Sequence, residues 1–177
     1  MSRHDSDTLA ARHIPRIALD WMRDRPEERW RVQEGTLLFA DISGFTALSE
    51  RLASRGRIGA EELVETLSQV FGSMLLVAAE RGGHLLKFGG DALLFLFPDE
   101  GHAPAACSTA VDMHRELRLA SQIRTSVGRL SLAASIGVHS EPTHLFLVGG
   151  AHRELVVAGP AVTEVLRREA TAESGQV

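Results

Sequence analysis

The chain lacks several residue patterns that would mark other classes of protein. Its 177 residues contain one cysteine, Cys107, so no internal disulfide can form, and this composition favours a reducing compartment. Tyrosine is absent, and aromatic residues make up only 5% of the chain. We find no apolar run near the ~20 residues that a membrane helix needs. The polar N-terminus does not resemble a secretory signal. The sequence therefore predicts a cytoplasmic protein.

Positive charge is not in excess either. The chain has 19 lysines and arginines and 23 aspartates and glutamates, which gives a net charge of −4. The composition therefore shows no excess of positive charge that would indicate nucleic-acid binding. The eight histidines show no metal-ligand spacing. Hydrophobic residues (44%) and charged residues (24%) occur in proportions typical of a globular protein. The length is sufficient for one domain with a sizeable core.

A first polar motif follows an apolar run. Residues 36–40, Thr-Leu-Leu-Phe-Ala, follow Gly35 and predict a buried strand that ends at Asp41. A helical pattern then opens, with Ser43 as a candidate N-cap. A carboxylate at such a place can hold a divalent cation, and the first-turn N–H groups of a helix can hold phosphate. An aspartate after a strand is more often a simple turn residue, so this motif needs a second one beside it.

The second motif lies in a predicted hairpin. Residues 85–97 are two apolar runs joined through Gly89, Gly90 and Asp91. A second aspartate therefore falls at a tight turn, and Lys87 precedes it by four residues on the incoming strand. Both motifs place an acidic residue where a strand meets a turn.

The order of elements predicts an α+β fold of the ferredoxin-like, split βαβ kind rather than a doubly wound one. In that fold the end of the first strand and the tip of the central hairpin can be neighbours, so Asp41 and Asp91 should share one site. We assign residues 1–34 to an N-terminal helix and a charged connection, and residues 35–177 to the domain itself. The predicted elements are helices 7–24, 45–53, 60–80, 105–121 and one from Pro160, and strands 36–40, 84–97 (a hairpin), 130–138, 143–148 and 154–158.

Two aspartates suggest phosphoryl or nucleotidyl transfer. They are too few to cage Mg²⁺, which keeps several waters and takes further ligands from substrate phosphates. In a two-metal site the ions lie about 3.5–4 Å apart and bind both the attacking and the leaving oxygen. Gly44 would allow phosphate to approach the backbone, and Phe45 and Thr46 would donate backbone N–H groups.

These residues resemble a known family. Residues 39–46, Phe-Ala-Asp-Ile-Ser-Gly-Phe-Thr, and residues 87–91, Lys-Phe-Gly-Gly-Asp, are similar to the two metal motifs of the class III adenylyl and guanylyl cyclases. Their order, their spacing and the long helix between them also agree, and the resemblance extends over residues 35–167. It is closest to the soluble, bicarbonate-responsive adenylyl cyclases and their bacterial relatives, in particular to the first of their two catalytic halves.

The resemblance implies a palm-type domain whose active site lies between two domains paired head to tail. One partner would hold two Mg²⁺ or Mn²⁺ ions with Asp41, Asp91 and the carbonyl of Ile42. The backbone of residues 44–46 (Gly44, Phe45 and Thr46) would bind the triphosphate of ATP. The ribose 3′-hydroxyl would attack the α-phosphate, giving cyclic AMP and pyrophosphate.

The other partner supplies base recognition in that family, and here the match is uneven. Lys87 falls on the adenine-selecting lysine and Arg167 on the arginine that stabilises the transition state. Thr163 replaces a ribose-positioning asparagine, and Val156 replaces the base-contacting aspartate or threonine, so the side chain cannot accept from a base amine. We therefore expect this domain to donate metals to a site completed by a different cyclase-like domain, in preference to a homodimer. Lys87 and Arg167 would then line a second pocket that suits bicarbonate.

Alternatives remain open. A catalytically silent nucleotide- or anion-binding regulatory or dimerisation module is favoured by Val156 and Thr163. It is also favoured by the end of the sequence at residues 173–177, where family members continue with further strands; we expect an incomplete domain with an uncovered sheet edge. A diguanylate cyclase shares the Gly-Gly-Asp hairpin, but the following residues lack the acidic-aromatic pair of that group. Guanylyl cyclase activity stays possible because Val156 does not fix the base, although Lys87 favours adenine.

Overall fold

The structure is a computed structural model that describes residues 15–129, 131–150, 153–173 and 175–176. The predicted helix over residues 7–24 lies partly outside the described residues and is seen from Arg16 onward. The helices are α1 (Arg16–Asp24), α2 (Phe45–Ala53), α3 (Gly56–Glu80), α4 (His102–Ala120) and α5 (Pro160–Thr171). The strands are β1 (Trp30–Gln33), β2 (Thr36–Ser43), β3 (His84–Gly89), β4 (Ala92–Phe97), β5 (Arg124–Thr125), β6 (Gly128–Arg129), β7 (Ala133–Ser140), β8 (Thr143–Val148) and β9 (Glu154–Ala158).

The central sheet has the strand order β3-β4-β2-β7, and each neighbouring pair is antiparallel. The strand that carries Asp41, β2, is therefore internal, with the β3–β4 hairpin on one side and β7 on the other. This is the ferredoxin-like, split βαβ arrangement predicted from the order of elements, and the prediction is confirmed.

A second sheet has the order β1-β8-β9. Its first strand, β1, lies in the segment that the sequence indicated was a connection, so that part of the prediction is wrong. The strand has only four residues, its exposure alternates, and charged residues surround it. Such a short, half-exposed strand gives almost no periodic signal, and pairing with β8 determines its conformation.

The two faces of β2 contribute to two different hydrophobic clusters, because successive side chains of a strand point in opposite directions. Leu38, Ala40 and Ile42 pack beneath α3 and α4. Leu37 lies on the other face, in a cluster with Trp21 of α1 and with residues of α5 and the second sheet. Asp41 has the same parity as Leu37 and so projects toward the α5 side of the sheet.

Helix α3 corrects two expectations. It begins at Gly56, four residues before the start predicted at residue 60. By length and composition alone this helix, among the described residues, is also long and apolar enough to cross a membrane, contrary to the expectation that the chain holds no such apolar run. Val70, Met74 and Ala78 of this helix, however, pack against the central sheet in the hydrophobic core, as in the core helix of a globular domain.

Residues near the end of the chain contact the outer edge of β7. The N–H of Gly175 donates to the carbonyl oxygen of Ala134 at 2.7 Å, and the N–H of Ile136 donates to that of Gln176 at 3.2 Å. The expectation of an uncovered edge is therefore wrong between Ala134 and Ile136, because backbone groups of the last residues pair with the strand there.

Candidate active site

The strand carrying Asp41 and the hairpin tip carrying Asp91 meet. Cα pairing places Asp41 opposite Ala92, the residue after Asp91, across β2 and β4. The backbone N–H of Ile42 donates to the carbonyl oxygen of Asp91 at 3.1 Å. Because the N–H and C=O of a strand residue point to the same side, the Ile42 carbonyl also faces the hairpin tip. The structure thus brings together the three residues that the sequence predicted as metal ligands.

The carboxylate of Asp41 lies in an unfavourable environment for a negative charge. Its pKa is raised above the ordinary aspartate value, first by burial, then by the charge of Asp91 and then by that of Glu169. Across the described residues, neither Asp41 nor Asp91 has a hydrogen-bond or ion-pair partner for its side chain. Two unpaired carboxylates that repel each other, beside a backbone carbonyl, form a set of hard oxygen donors.

This donor set fits a divalent cation such as Mg²⁺ or Mn²⁺, which takes oxygen ligands and would offset the repulsion. The described residues contain no group of three or more His, Cys, Asp or Glu side chains placed to hold a metal. Two aspartates and one carbonyl leave ligand positions for water and for substrate phosphates, as expected for a metal that serves phosphoryl chemistry.

The turn that leads from β2 into α2 depends on Gly44. This residue, not Ser43, is the N-cap of α2, with φ +89° in the left-handed region. A Cβ at Gly44 would lie 2.3 Å from the carbonyl oxygen of Ser131. The Ser43 hydroxyl instead donates to the carbonyl oxygen of Ala133 at 3.3 Å, so the predicted serine cap is wrong. With no side-chain cap, the first-turn N–H groups of Phe45 and Thr46 remain available for an anion.

Lys87 lines a small apolar cavity of about 280 Å³. Its ammonium donates to Glu154 Oε1 at 2.7 Å. Val156 lines the same cavity, so the lysine and the position of the missing base acceptor are neighbours, as the resemblance implies for a base pocket. The other lining residues are Phe39, Gly89, Ala92, Leu94, Val157, Val162 and Leu166.

Arg167 and Thr163, both on α5, do not line the Lys87 cavity. Both are exposed, and the Arg167 guanidinium donates to Glu164 Oε1 at 2.9 Å. The helix turns Val162 and Leu166 toward the Lys87 cavity, so Thr163 and Arg167 occupy the adjacent row and do not line it. Lys87 and Arg167 therefore share no cavity among the described residues of the chain by itself, and the bicarbonate pocket at a domain interface stays a prediction.

Two polar residues near the aspartates were not found from the sequence. Ser135 of β7 is the Cα partner of Asp41, and its hydroxyl donates to Glu169 Oε1 at 2.5 Å. A Cβ at Gly137 would lie 2.3 Å from the carbonyl oxygen of Val165, so the absence of a side chain there allows α5 to pack close to β7. A serine in a strand and a glutamate on a helix surface are common, and their spacing carries no signal of this proximity.

Comparison with known proteins agrees with the predicted resemblance. The model of the family described as adenylate and guanylate cyclase catalytic domain matches residues 28–177. Adenylate cyclase type 10 of Mus musculus is 30% identical over 173 residues, which cover 94% of this chain and 11% of that protein. Adenylate cyclase 1 of Rhizobium meliloti (strain 1021) is 30% identical over 145 residues, 79% of this chain and 21% of that protein.

A solved structure gives the same result at the level of the fold. The adenylyl cyclase CyaB from P. aeruginosa superposes with a TM-score of 0.68 and 25% identity, covering 84% of this chain and 76% of that one. The chain spans only 11% of the length of the mouse relative. The match of the family model nevertheless covers most of the chain, including both aspartates and all of the central sheet. The chain belongs to the adenylate and guanylate cyclase catalytic domain family.

Proposed function

We propose that this domain takes part in forming cyclic AMP and pyrophosphate from ATP in the cytosol, as the metal-donating half of a site shared by two domains. The observation that carries the proposal is the convergence of Asp41 and Asp91, whose side chains have no partner in the described part of the chain. The curated relatives named above are adenylate cyclases, which favours ATP over GTP as substrate.

The reaction is an intramolecular transfer. The ribose 3′-oxygen forms a bond to the α-phosphorus, and the proton of the hydroxyl passes to water. The bond from the α-phosphorus to the oxygen that bridges the α- and β-phosphates breaks, and pyrophosphate leaves. Two Mg²⁺ or Mn²⁺ ions, when bound, supply positive charge at the attacking and leaving oxygens. Asp41, Asp91 and the Ile42 carbonyl would hold them.

Other residues of the chain would position the nucleotide. The backbone N–H groups of Phe45 and Thr46 would donate to triphosphate oxygens, and Gly44 would keep the backbone accessible there. Arg167, exposed on α5, belongs to the set that the family takes from the other partner, so it would reach across the dimer interface to a nucleotide in the second site and stabilise charge on its transferring phosphate. Thr163 lies one helical turn before it and would offer a hydroxyl to the ribose in that second site.

Base recognition explains why we assign this chain to one half only. Val156 presents no hydrogen-bond acceptor from its side chain, and the cavity that it shares with Lys87 is apolar. A site that must read a purine amine loses most of its discrimination without an acceptor. We infer that a second, different cyclase-like domain supplies base recognition to the metals held here.

The test is complementation. The purified chain is incubated with Mn²⁺ and ATP, alone and with the catalytic domain of the rhizobial relative whose own two metal-binding aspartates are replaced by asparagine. We expect cyclic AMP from the mixture only, and none when the chain carries Asp41→Asn. Robust turnover by the chain alone would refute the assignment to one half.

The second candidate function is a silent binding module, which Val156 and Thr163 favour. It predicts that Mn²⁺-dependent ATP binding persists, by calorimetry, while no cyclic product forms in the mixture. The same experiment therefore separates the two functions.

A further inference from the structure

A third carboxylate lies near the two aspartates, on the face of the central sheet that α5 covers. Ser135 of β7 is the Cα partner of Asp41. The Cβ atoms of such directly opposite residues lie about 4.5–5.5 Å apart on the same face of a sheet. The Ser135 hydroxyl donates to Glu169 Oε1 at 2.5 Å. Ser135 therefore joins the carboxylate of Glu169, on α5, to the surroundings of Asp41.

The packing of α5 on β7 determines where Glu169 lies. Gly137 is two residues along β7 from Ser135, so both residues face α5. A Cβ at Gly137 would be 2.3 Å from the carbonyl oxygen of Val165 and 2.6 Å from the backbone nitrogen of Glu169. The backbone of Glu169 thus packs directly on the strand, and the serine holds its half-buried side chain.

Glu169 forms no ion pair with a cation in the described part of the chain. The two arginines that precede it on α5 pair with Glu164 instead, at 2.9 Å for Arg167 and 3.5 Å for Arg168. The charge of Glu169 consequently acts on Asp41, and it contributes, after burial and the other aspartate, to the raised pKa of Asp41. Three carboxylates without a cation repel one another in the metal-free protein, and a divalent ion would offset this repulsion.

We propose that Glu169 belongs to the divalent-cation site as an outer residue, whose charge strengthens the binding of the ion by Asp41 and Asp91 without contacting it. Ser135 is then a positioning residue that keeps this charge in place. The inference rests on the proposed function, because it takes the two aspartates to hold Mg²⁺ or Mn²⁺. Since no three His, Cys, Asp or Glu side chains of the described residues are placed to hold a metal together, Glu169 acts from outside the ligand set.

The experiment measures the affinity of the full chain for Mn²⁺ alone, from the electron paramagnetic resonance signal of the free ion. In Glu169→Gln the side chain keeps its size and can still accept from Ser135, so only the charge is lost. We expect this variant to bind Mn²⁺ about three- to tenfold more weakly, the scale of one charge–charge interaction in a solvated site, and the difference to shrink at high salt. Far-UV circular dichroism and the melting temperature report whether each variant folds.

Two further variants separate this role from a general change of charge. Glu164→Gln removes one negative charge from the same helix, where arginines already pair with it, and should leave the Mn²⁺ affinity at the wild-type value. Ser135→Ala removes the hydroxyl that holds the Glu169 carboxylate, so it should weaken Mn²⁺ binding by itself. In that background Glu169→Gln should cause a smaller further loss than it does in the wild type, because the two residues act together.

Unchanged or tighter Mn²⁺ binding by Glu169→Gln would overturn the inference alone. Equal weakening by Glu169→Gln and Glu164→Gln would also overturn it, because total charge would then explain the effect. An effect of Glu169→Gln that is the same with and without the Ser135 hydroxyl would contradict the role given to Ser135. Failure of the wild type to bind Mn²⁺, or binding that Asp41→Asn leaves unchanged, would refute the proposed function, and the inference with it.

Discussion

Replacing Gly44 by alanine should destabilise the turn between β2 and α2 much more than the same change at a comparable glycine. Gly44 and Gly101 are both left-handed N-cap residues, of α2 and α4, with φ +89° and +78°. They differ in their surroundings, since a Cβ at Gly44 would lie 2.3 Å from the carbonyl oxygen of Ser131, whereas nothing lies within 4 Å of a Cβ at Gly101.

The magnitudes follow from that difference. A left-handed conformation costs a residue with a Cβ about 1–2 kcal/mol, and this term applies to both variants. The contact with a backbone oxygen forces the β2–α2 turn or the segment at Ser131 to move, which adds about 1–3 kcal/mol, the scale of overpacking. We therefore expect Gly44→Ala to lower the free energy of unfolding by about 2–5 kcal/mol and Gly101→Ala by about 1–2 kcal/mol.

Urea denaturation followed by tryptophan fluorescence and circular dichroism measures both values. Calorimetric titration with Mn²⁺ and tripolyphosphate tests the proposed role of this turn in phosphate binding, and we expect weaker binding for Gly44→Ala at temperatures where it remains folded. Equal destabilisation by the two substitutions, or unchanged phosphate binding in Gly44→Ala, would refute the steric reasoning about this turn.

Two further substitutions test the electrostatics of the site. The pKa of Asp41 is raised in the folded state above its value in the unfolded state. The metal-free protein therefore loses stability as the pH rises from the unfolded-state pKa to the folded-state pKa, because the folded state holds the proton more tightly. Asp41→Asn should therefore increase the free energy of unfolding at pH 7 by a few tenths to about 1 kcal/mol, and should give no increase at a pH below the ordinary aspartate range. The same substitution should abolish Mn²⁺ binding. A lower free energy of unfolding at pH 7 would contradict this reasoning. Val156→Asp adds an acceptor near Lys87, and we expect the variant to bind ATP about tenfold more tightly than GTP in calorimetry. The reason is that a carboxylate accepts from the adenine amine and repels the guanine carbonyl. Equal affinities for ATP and GTP would show that the cavity does not receive the base.

Strong local patterns allowed much of the fold to be predicted from the sequence. Strand β8 and strand β9 have the predicted bounds because apolar runs and turn residues define them, and α5 begins at Pro160, where a fixed φ suits the first turn. The meeting of Asp41 and Asp91 followed from topology alone, since the ferredoxin-like order places the first strand beside the hairpin.

What could not be predicted depends on tertiary packing. The row of α5 that faces the Lys87 cavity depends on how the helix docks over Gly137, and this docking leaves Arg167 outside the cavity lining. The pairing of Lys87 with Glu154 joins the edges of two different sheets, and no local pattern specifies it. Strand β1 exists because β8 offers an edge, whereas its own residues show no clear periodicity.

The claim on which the rest depends is that Asp41 and Asp91 hold the same divalent ion. Crystals of the protein grown with Mn²⁺ and 3′-deoxy-ATP, which lacks the attacking hydroxyl, allow the metal to be located by its anomalous scattering. We predict a peak between the two carboxylates, within coordination distance of both and beside the Ile42 carbonyl. A nucleotide bound with its metal contacting neither aspartate, or only one of them, would contradict the claim.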